Sequence, residues 1–330
     1  MFIDVHNHVM PTEALDLLGG EAIYGVTVAD GEWRGVHHVP FPIVPSFYDP
    51  AAKIEHLDKV GIAAAVVSAP PPLFFYDVPS DAGVDLCEAA NDGMVNYCSH
   101  YPDRLRWLAN LPMQAPDEAV RVYRAAVSSG CVGAAIGTSI AGRRLDEPDF
   151  ERFWAIVEEI GRPVLAHPAF NEPHAALEPY YLQNVIGNPL ETTIMVERMI
   201  CAGVFSRHPG IRLILLHGGG FLPYQTGRLC HARGVRPELA ASPTEIWEVF
   251  NQLYFDTITH DVEALRYLVQ RVGRRNVVLG TDMPYDMAMQ SPMVTLREAF
   301  DEATVRQVAG DNPARLFGFG GGAADMDAAT

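Results

Sequence analysis

Two histidines at the end of a short apolar segment are the residues best placed to do chemistry. The chain begins Met1-Phe-Ile-Asp-Val-His-Asn-His8, so the apolar run ends in His6 and His8. Alternate side chains of a β-strand point to the same side, and both imidazoles therefore face one way. At the C-terminal end of a strand in a closed parallel barrel, such a pair suits a divalent metal ion. Taken alone, the pattern also fits two surface histidines.

Four further polar residues stand directly after predicted strands. They are His167, His217, Asp256 and Asp282. A single histidine after a strand is more often structural than a metal ligand. Several histidines and carboxylates at strand ends of one chain, however, all fall where a barrel keeps its chemistry, and together they indicate a metal site.

The donor types predict which ion this site would hold. Imidazole nitrogens and a carboxylate oxygen, with three or four ligands from the protein, leave a position for water and favour Zn²⁺. Without thiolates, the same donors also accept Mn²⁺, Fe²⁺ or Co²⁺. Water bound to such an ion loses a proton near neutral pH, and His217, on its glycine turn, is the candidate to accept it. The alternative role for His217 is that of a fifth ligand.

Eight short segments rich in Val, Ile and Leu predict eight β-strands, with helical patterns between them. Strands that are apolar on both faces and alternate with helices imply a parallel sheet covered on both sides. Closure of eight such units predicts an α/β fold, the (β/α)8 TIM barrel. The predicted strands are Phe2–Val5, Ala63–Ser68, Leu105–Leu111, Val132–Ile136, Pro163–Ala166, Ile211–Leu216, Leu253–Asp256 and Asn276–Gly280. The predicted helices are Pro50–Val60, Asp81–Tyr101, Asp117–Ser129, Glu147–Ile160, Glu191–His208 and Val262–Val272.

A single metal-dependent barrel domain is expected over residues 1–330, with two segments outside the repeat. Residues 17–45 lack periodicity and predict a long loop or a small excursion over the barrel mouth. Residues 319–330 are small, acidic and glycine-rich, which predicts a mobile C-terminal tail.

Composition limits the classes of partner. Of the 330 residues 48% are hydrophobic and 20% are charged, as expected of a globular enzyme. Lys and Arg number 24 against 41 Asp and Glu, a net charge of −17, which argues against nucleic acid and against anionic membranes. A small anionic substrate is compatible with this charge, since a metal ion and one or two arginines outweigh a distant field.

The cysteines and the N-terminus predict a cytoplasmic location. The five cysteines include no close pair, so we expect no structural disulfides. The first residues read as a strand and not as a basic and apolar leader, and no apolar run reaches the length of a membrane span.

These motifs together resemble the amidohydrolase superfamily, in its decarboxylase branch. The resemblance is carried by His6-x-His8, Ala166-His-Pro168, His217-Gly-Gly-Gly220, Gly280-Thr-Asp-Met-Pro284, Phe47-Tyr-Asp-Pro50, Leu111-Pro-Met-Gln-Ala-Pro116 and Gly187-Asn-Pro-Leu-Glu-Thr-Thr193. It implies an amidohydrolase-type barrel in which His6, His8, His167 and Asp282 bind zinc. It also implies that His217 is the acid and base residue, with Asp282 beside it as the second catalytic residue.

Arg228 matches an arginine that binds the substrate carboxylate in this family and, in one relative, reaches across a dimer interface. Its planar guanidinium suits a carboxylate because two parallel hydrogen bonds form. The resemblance therefore implies a small carboxylate substrate and a homodimer. The alternative is a solvated helix charge, with Arg233 and Arg236 nearby.

The chain departs from the family pattern at two positions of the substrate pocket. A second carboxylate-binding arginine is replaced near Phe41, and a pocket tryptophan expected near Asn184 is absent. The pocket has therefore changed, and an aromatic or enal-type carboxylate is expected to fit it. Phe74 and Phe170 are candidates for its apolar wall, and both positions fit packing roles equally well.

Three functions are compatible with this reading. The resemblance implies a non-oxidative, metal-dependent decarboxylase that needs no organic cofactor. The alternative enzyme is a metal-dependent hydrolase of a carbonyl, lactone or amide substrate. The third possibility is a catalytically inactive, ligand-binding barrel with a structural metal. Structural zinc sites are closed and four-coordinate, whereas the surplus of polar groups in this chain favours a site with an open position.

Overall fold

Eight parallel strands form a closed ring at the centre of the fold. The computed structural model describes residues 1–18, 25–35, 40–169, 175–240, 242 and 245–319. The barrel strands are β1 Ile3–His8, β2 Ala64–Ser68, β3 in two segments Leu105–Trp107 and Ala109–Asn110, β4 Ala134–Gly137, β5 Val164–His167, β6 Leu213–Leu215, β7 Leu253–Asp256 and β8 Val277–Val278. From β1 to β8, each strand pairs in parallel with the next one along the chain.

Backbone hydrogen bonds join β1 to the residues that follow β8. Val5 N donates to Leu279 O at 2.9 Å, and His8 N donates to Met283 O at 2.8 Å. The predicted (β/α)8 TIM barrel is therefore confirmed.

Helices cover the outside of the ring. The helices that follow successive strands are Pro50–Lys59, Ser80–Ser99, Pro116–Ser128, Glu151–Ile160, Asn188–Cys201, Leu222–Val235, Val262–Val272 and Asn312–Phe317. Shorter α-helices are Thr12–Leu18, Pro45–Tyr48, Val204–Arg207, Pro237–Ala240, Ile246–Val249, Pro292–Ala299 and Glu302–Arg306. Short 3-10 or π-helical turns are Pro71–Leu73, Pro148–Phe150, Ala175–Leu177, Pro179–Tyr181, Gln183–Gly187, His217–Gly219, Phe250–Gln252, Arg274–Asn276 and Gln307–Asp311. Within the described ranges, no helix has the length and apolar character to span a bilayer.

Burial on both faces explains why the strands are nearly all apolar. Every residue of the eight strands except Arg106 is buried, because the ring covers one face and the helices cover the other. Helix ends follow local signals. The Asp261 carboxylate accepts from Ala264 N at 2.7 Å and begins Val262–Val272, and Gly161 at φ +67° ends Glu151–Ile160.

All eight predicted strands and all six predicted helical regions are present, with ends that differ by a few residues. One predicted helix, Glu191–His208, is interrupted. Gly203 adopts φ +74°, so the first helix ends at Cys201 and Val204–Arg207 forms a separate turn.

The described residues of the segment 17–45 contain regular secondary structure. Its described part holds a three-stranded antiparallel sheet of Thr27–Ala29, Glu32–Arg34 and Phe41–Pro42. The buried Trp33 stacks on Phe41, with ring centroids 6.2 Å apart, and Phe41 contacts Tyr285 at 5.2 Å. Because Tyr285 follows β8, this contact places Phe41 beside the loop that carries Asp282. Residues 19–24 and 36–39 lie outside the described residues.

The predicted mobile tail, 319–330, lies outside the described residues except for its first residue. Phe319 is buried, and the Arg106 guanidinium lies 4.2 Å from its ring centroid. The tail therefore stays a prediction from residue 320 onward.

Gly280, just after β8, packs so closely against β1 and β7 that an added methyl group should destabilise the fold. A Cβ on Gly280 would lie 2.8 Å from His6 Cβ and 2.9 Å from Asp256 Cβ. We expect Gly280→Ala to lower the free energy of unfolding by about 1 to 3 kcal/mol, because backbone must shift to relieve the overlap. Urea denaturation, monitored by tryptophan fluorescence, measures this change in the free energy of unfolding.

Gly227→Ala is the matched control, since nothing lies within 4 Å of its added Cβ. Gly227 lies within a helix, so alanine there should raise stability by up to about 1 kcal/mol. Equal stability of Gly280→Ala and the wild type would contradict the close approach.

Candidate metal centre

Four side chains from three strand ends converge at the barrel mouth. His6 and His8 come from β1, His167 ends β5, and Asp282 follows β8. Each offers one ligand atom, and these four atoms lie within 4.8 Å of one another. Asp282 Oδ1 lies 3.3 Å from His6 Nε2 and 3.1 Å from His8 Nε2. All four residues are buried, so the structure brings together every predicted metal ligand.

The backbone around Asp282 is held against β1. Asp282 adopts φ +63°, a left-handed conformation that is costly outside glycine, and its N–H donates to His6 O at 2.8 Å. The preceding Thr281 donates its hydroxyl to Asp4 Oδ2 at 2.6 Å, and Asp4 Oδ1 accepts from His6 N at 3.0 Å. Burial raises the pKa of Asp4 to about 6 despite these bonds. The bonds fix the Asp282 carboxylate beside the two histidines of β1.

The second nitrogen of each histidine has its own partner. His6 Nδ1 lies 2.7 Å from Asp256 Oδ2, His8 Nδ1 lies 3.3 Å from Ser68 Oγ, and His167 Nδ1 lies 2.6 Å from the neighbouring Pro168 carbonyl. The Nε2 atoms therefore point to the centre. Those of His6 and His167 are buried and have no hydrogen-bond partner among the described residues. Imidazoles held through one nitrogen, with the other free, are typical of metal ligands.

The electrostatics of the cluster favour one positive charge among its ligand atoms. Burial opposes a charge on His6, but Asp282 and Asp256 outweigh this and raise the pKa of His6 to about 10. Burial alone would raise the pKa of Asp282, but the charge on His6 and hydrogen bonds from the histidines hold it well below its usual value. Burial lowers the pKa of His8 to about 4 and that of His167 well below 6.5. Two neutral imidazoles and a carboxylate around a favoured positive charge fit a divalent cation, which would replace the proton on His6.

His217 lies beside this cluster on a strained turn. Its Nε2 lies 3.7 Å from Asp282 Oδ2, and its ring centroid is 5.3 Å from that of His167. His217 adopts φ +54°, and the three glycines that follow all have positive φ. A Cβ on Gly219 would lie 2.4 Å from the Phe255 ring, and one on Gly220 would lie 2.2 Å from a backbone oxygen. Only glycine fits these positions, which explains the triplet after His217.

Two cavities meet at His217 and Asp282. One, of about 400 Å³, extends between the helices Leu222–Val235 and Val262–Val272, and the other, of about 220 Å³, extends towards Phe41 and Tyr285. Neither has a lysine or arginine among the described residues that line it. The second cavity is flanked by aromatic rings and prolines, which suits a flat, unsaturated molecule.

The predicted substrate contacts lie in different places. Arg228 is exposed on Leu222–Val235, lines neither cavity and borders a separate surface groove with Phe221. Phe74 is 2% exposed, stacks on Tyr76 with ring centroids 5.4 Å apart, and also lines neither cavity. Phe170 lies outside the described residues.

Tyr285 and Asp256 are the residues whose place the sequence reasoning did not identify. Tyr285 lines the second cavity, and its ring centroid is 5.4 Å from that of His8. The available signal was its position three residues after Asp282, in the same loop. Asp256 was recognised as an acid at a strand end, but its contact with His6, 250 positions away, was not visible in the sequence.

Comparison with known proteins places these features in a family. A family model described as amidohydrolase matches residues 3–319. This chain belongs to the amidohydrolase family. The resemblance carried by the histidine and aspartate motifs is therefore confirmed.

Individual relatives of this amidohydrolase include decarboxylases. It is 29% identical over 334 residues to 2-amino-3-carboxymuconate-6-semialdehyde decarboxylase of Dictyostelium discoideum, which covers 96% of this chain and 91% of that protein. The structure of 5-carboxyvanillate decarboxylase from Sphingomonas paucimobilis matches with a TM-score of 0.82 at 22% identity, over 96% of this chain and 98% of that one. The structure of a Polaromonas dihydroxybenzoic acid decarboxylase with bound manganese matches with a TM-score of 0.79 at 21% identity, over 97% of this chain and 98% of that one. At these identities the two structures show a shared fold.

Metal addition should stabilise the protein through the four converging residues. After chelation, we expect Mn²⁺ or Zn²⁺ at 100 times its dissociation constant to raise the free energy of unfolding by about 2.7 kcal/mol. Thermal unfolding with and without the ion measures this. His167→Asn should lose most of the effect, because one buried ligand atom is removed.

His100→Asn is the matched control, since His100 is exposed and lies outside the ligand cluster. It should respond to metal as the wild type does. An unchanged metal response in His167→Asn would exclude His167 as a ligand.

Proposed function

We propose that this protein is a metal-dependent, non-oxidative carboxy-lyase that releases CO₂ from a small aromatic or unsaturated carboxylic acid. The observation that carries the proposal is the buried cluster of His6, His8, His167 and Asp282, with His217 beside it. Decarboxylases among the relatives, one of them 29% identical over 96% of the chain, support the reaction type.

The reaction requires an electron acceptor and a proton donor. When the carbon–carboxylate bond breaks, its electron pair stays on the substrate carbon, and a proton must reach that carbon as CO₂ leaves. A divalent ion held by the four ligands would supply a Lewis acid that withdraws electron density from substrate oxygens. The protein's own part is to position the substrate and to provide the proton.

His217 is suited to the proton transfer. Imidazole gains and loses protons near neutral pH, and His217 Nε2 borders both cavities, 3.7 Å from Asp282 Oδ2. This position between Asp282 and the two cavities places the imidazole within reach of a substrate bound there. With a side-chain exposure of 16%, against 0% for His6 and His8, His217 fits a proton donor better than a fifth ligand.

The substrate carboxylate needs a positive partner that the described cavity walls do not offer. We assign this role to the metal ion and to Arg228 of the partner subunit in a homodimer. In support, Arg228 is exposed on a helix close to the cavities and forms no ion pair with another described residue. Phe41 and Tyr285 flank the slot for the unsaturated part, and Phe74 and Phe170 stay predicted contacts.

The remaining assignments follow from composition and donor type. We assign Zn²⁺ as the resident ion, with Mn²⁺, Fe²⁺ or Co²⁺ as alternatives, because imidazole and carboxylate ligands suit all four. We also propose one barrel domain over 1–330 and a cytoplasmic location, supported by five cysteines that are all unpaired. The net charge of −17 supports a protein that binds neither nucleic acid nor anionic membrane.

Removing His217 should separate catalysis from metal binding. We expect His217→Ala to lower kcat by about 10²- to 10⁴-fold, because the proton donor is lost, while metal content stays near the wild-type value. His260→Ala, which changes a histidine at the wall of the first cavity, should keep most of the activity. Loss of metal in His217→Ala would instead make His217 a ligand.

The assay should record CO₂ from a panel of hydroxybenzoates, muconate-type acids and their lactones. Decarboxylation gives CO₂ and the parent compound without its carboxyl group, whereas hydrolysis gives a new acid by uptake of water. Ring opening of the lactones without CO₂ from any acid would support the hydrolase alternative.

Mixing two inactive variants tests whether Arg228 acts across a dimer. His217→Ala and Arg228→Ala each remove one residue from every site. A mixed dimer has one site with both residues intact, so random exchange should restore about a quarter of the wild-type rate.

Arg236→Ala is the matched control, because Arg236 is exposed and pairs with Glu238. It should keep wild-type activity alone. Absence of any recovery on mixing, with mixed dimers present by native mass spectrometry, would contradict the role across the interface.

A further inference from the structure

The two carboxylate oxygens of Asp256 contact two different parts of the site, the His6 imidazole and the turn that carries His217. It is the last residue of β7 and is fully buried. Asp256 Oδ2 lies 2.7 Å from His6 Nδ1. Asp256 Oδ1 accepts from Gly218 N at 2.7 Å and from Ile258 N at 3.1 Å. One side chain thus contacts a metal ligand and the residue after His217.

We propose that Asp256 is a positioning residue that fixes the tautomer of His6 and the turn that carries His217. It touches neither the ligand atoms nor the cavities. Its effect on the site passes through His6 on one side and Gly218 on the other.

The first half of the role follows from what a carboxylate is able to bind. An ionised carboxylate accepts hydrogen bonds and donates none, so Asp256 Oδ2 requires a proton on His6 Nδ1. A neutral His6 then has its lone pair on Nε2, the atom that faces His8, His167 and Asp282. Asp256 therefore makes His6 available as a ligand.

The second half of the role follows from the backbone at the glycine triplet. His217 at φ +54° and Gly218 at φ +64° are two consecutive left-handed residues, a costly conformation that neighbouring contacts must stabilise. The bond from Gly218 N to Asp256 ties this turn to the end of β7. His217 thereby keeps its place beside Asp282.

The geometry predicts how asparagine would sit in place of Asp256. Two N–H donors face the Oδ1 position and one group faces Oδ2, so the amide oxygen of Asp256→Asn should stay with Gly218 and Ile258. The amide NH₂ then faces His6 Nδ1 and needs an acceptor there. His6 must move its proton to Nε2, where the proton competes with the metal. We expect the dissociation constant for Mn²⁺ to rise about 10- to 100-fold.

Alanine at the same position should break both contacts. In Asp256→Ala the amide of Gly218 loses its acceptor, so hydrogen exchange in the segment His217–Gly220 should become faster than in the wild type. Asp256→Asn keeps an oxygen there and should retain the protection. At saturating Mn²⁺, Asp256→Asn should recover more turnover than Asp256→Ala, because its His217 turn is intact.

Asp261→Asn is the matched control. Asp261 lies on the same loop, caps a helix through Ala264 N and contacts no site residue, and asparagine caps equally well. The experiment measures Mn²⁺ binding by calorimetry and peptide hydrogen exchange by mass spectrometry, on all three variants and the wild type, after circular dichroism confirms the fold.

Wild-type Mn²⁺ affinity in Asp256→Asn, or unchanged exchange of the His217–Gly220 segment in Asp256→Ala, would overturn the corresponding half of the inference. Neither readout depends on the reaction catalysed. A wild-type protein without decarboxylase activity would therefore contradict the proposed function and leave the role of Asp256 to be decided by these measurements.

Discussion

The hydrogen bonds that join the last strand of the barrel to the first are the constraint on which the site depends. The carbonyl of His6 accepts from Thr281 N at 3.0 Å and from Asp282 N at 2.8 Å. These bonds therefore reach a residue whose imidazole is itself a predicted metal ligand. Because β1 and β8 are at opposite ends of the chain, barrel closure and the assembly of the metal centre are one structural event. A change that loosens this seam must move Asp282 away from the histidines.

The buried charges at this seam are stable because they are arranged in pairs. Burial of an isolated ion is costly, whereas His6 lies between the carboxylates of Asp256 and Asp282. The same arrangement demands strained backbone, with left-handed Asp282 and His217. Hydrogen bonds from β1 and β7 hold that strain in place. The hydrogen bonds of the barrel therefore hold together a cluster whose charges are paired and whose backbone is strained.

The strands and the candidate ligands are predictable from the sequence because each is marked by a pattern of neighbouring residues. Apolar runs mark the strands, and histidine or aspartate directly after a run marks the rim of the barrel. Contacts between strands that are far apart in the sequence carry no such signal. The contact of His6 with Asp256 is therefore not predictable from the sequence. The helix Leu222–Val235 was not predicted, because Gly227 and Gly234 are unfavourable within helices. The small antiparallel sheet was not predicted because its strands, of two or three residues, are too short to show a periodic pattern.

The acidic net charge of the protein is compatible with the proposed carboxylate substrate because most of the charges lie far from the site. Charges separated by more than the Debye length of about 8 Å are screened, whereas a pair 4 Å apart interacts by about 4 kcal/mol at an effective dielectric constant of 20. The described acidic residues that line the second cavity are Glu178, Asp282 and Asp286, and no described lysine or arginine lines it, so its wall disfavours an anionic substrate. A divalent cation bound among the four candidate ligands would offset two of these three negative charges and would offer an anion a positive partner at short range. The proposed metal ion would therefore contribute to binding of an anionic substrate as well as to the chemistry.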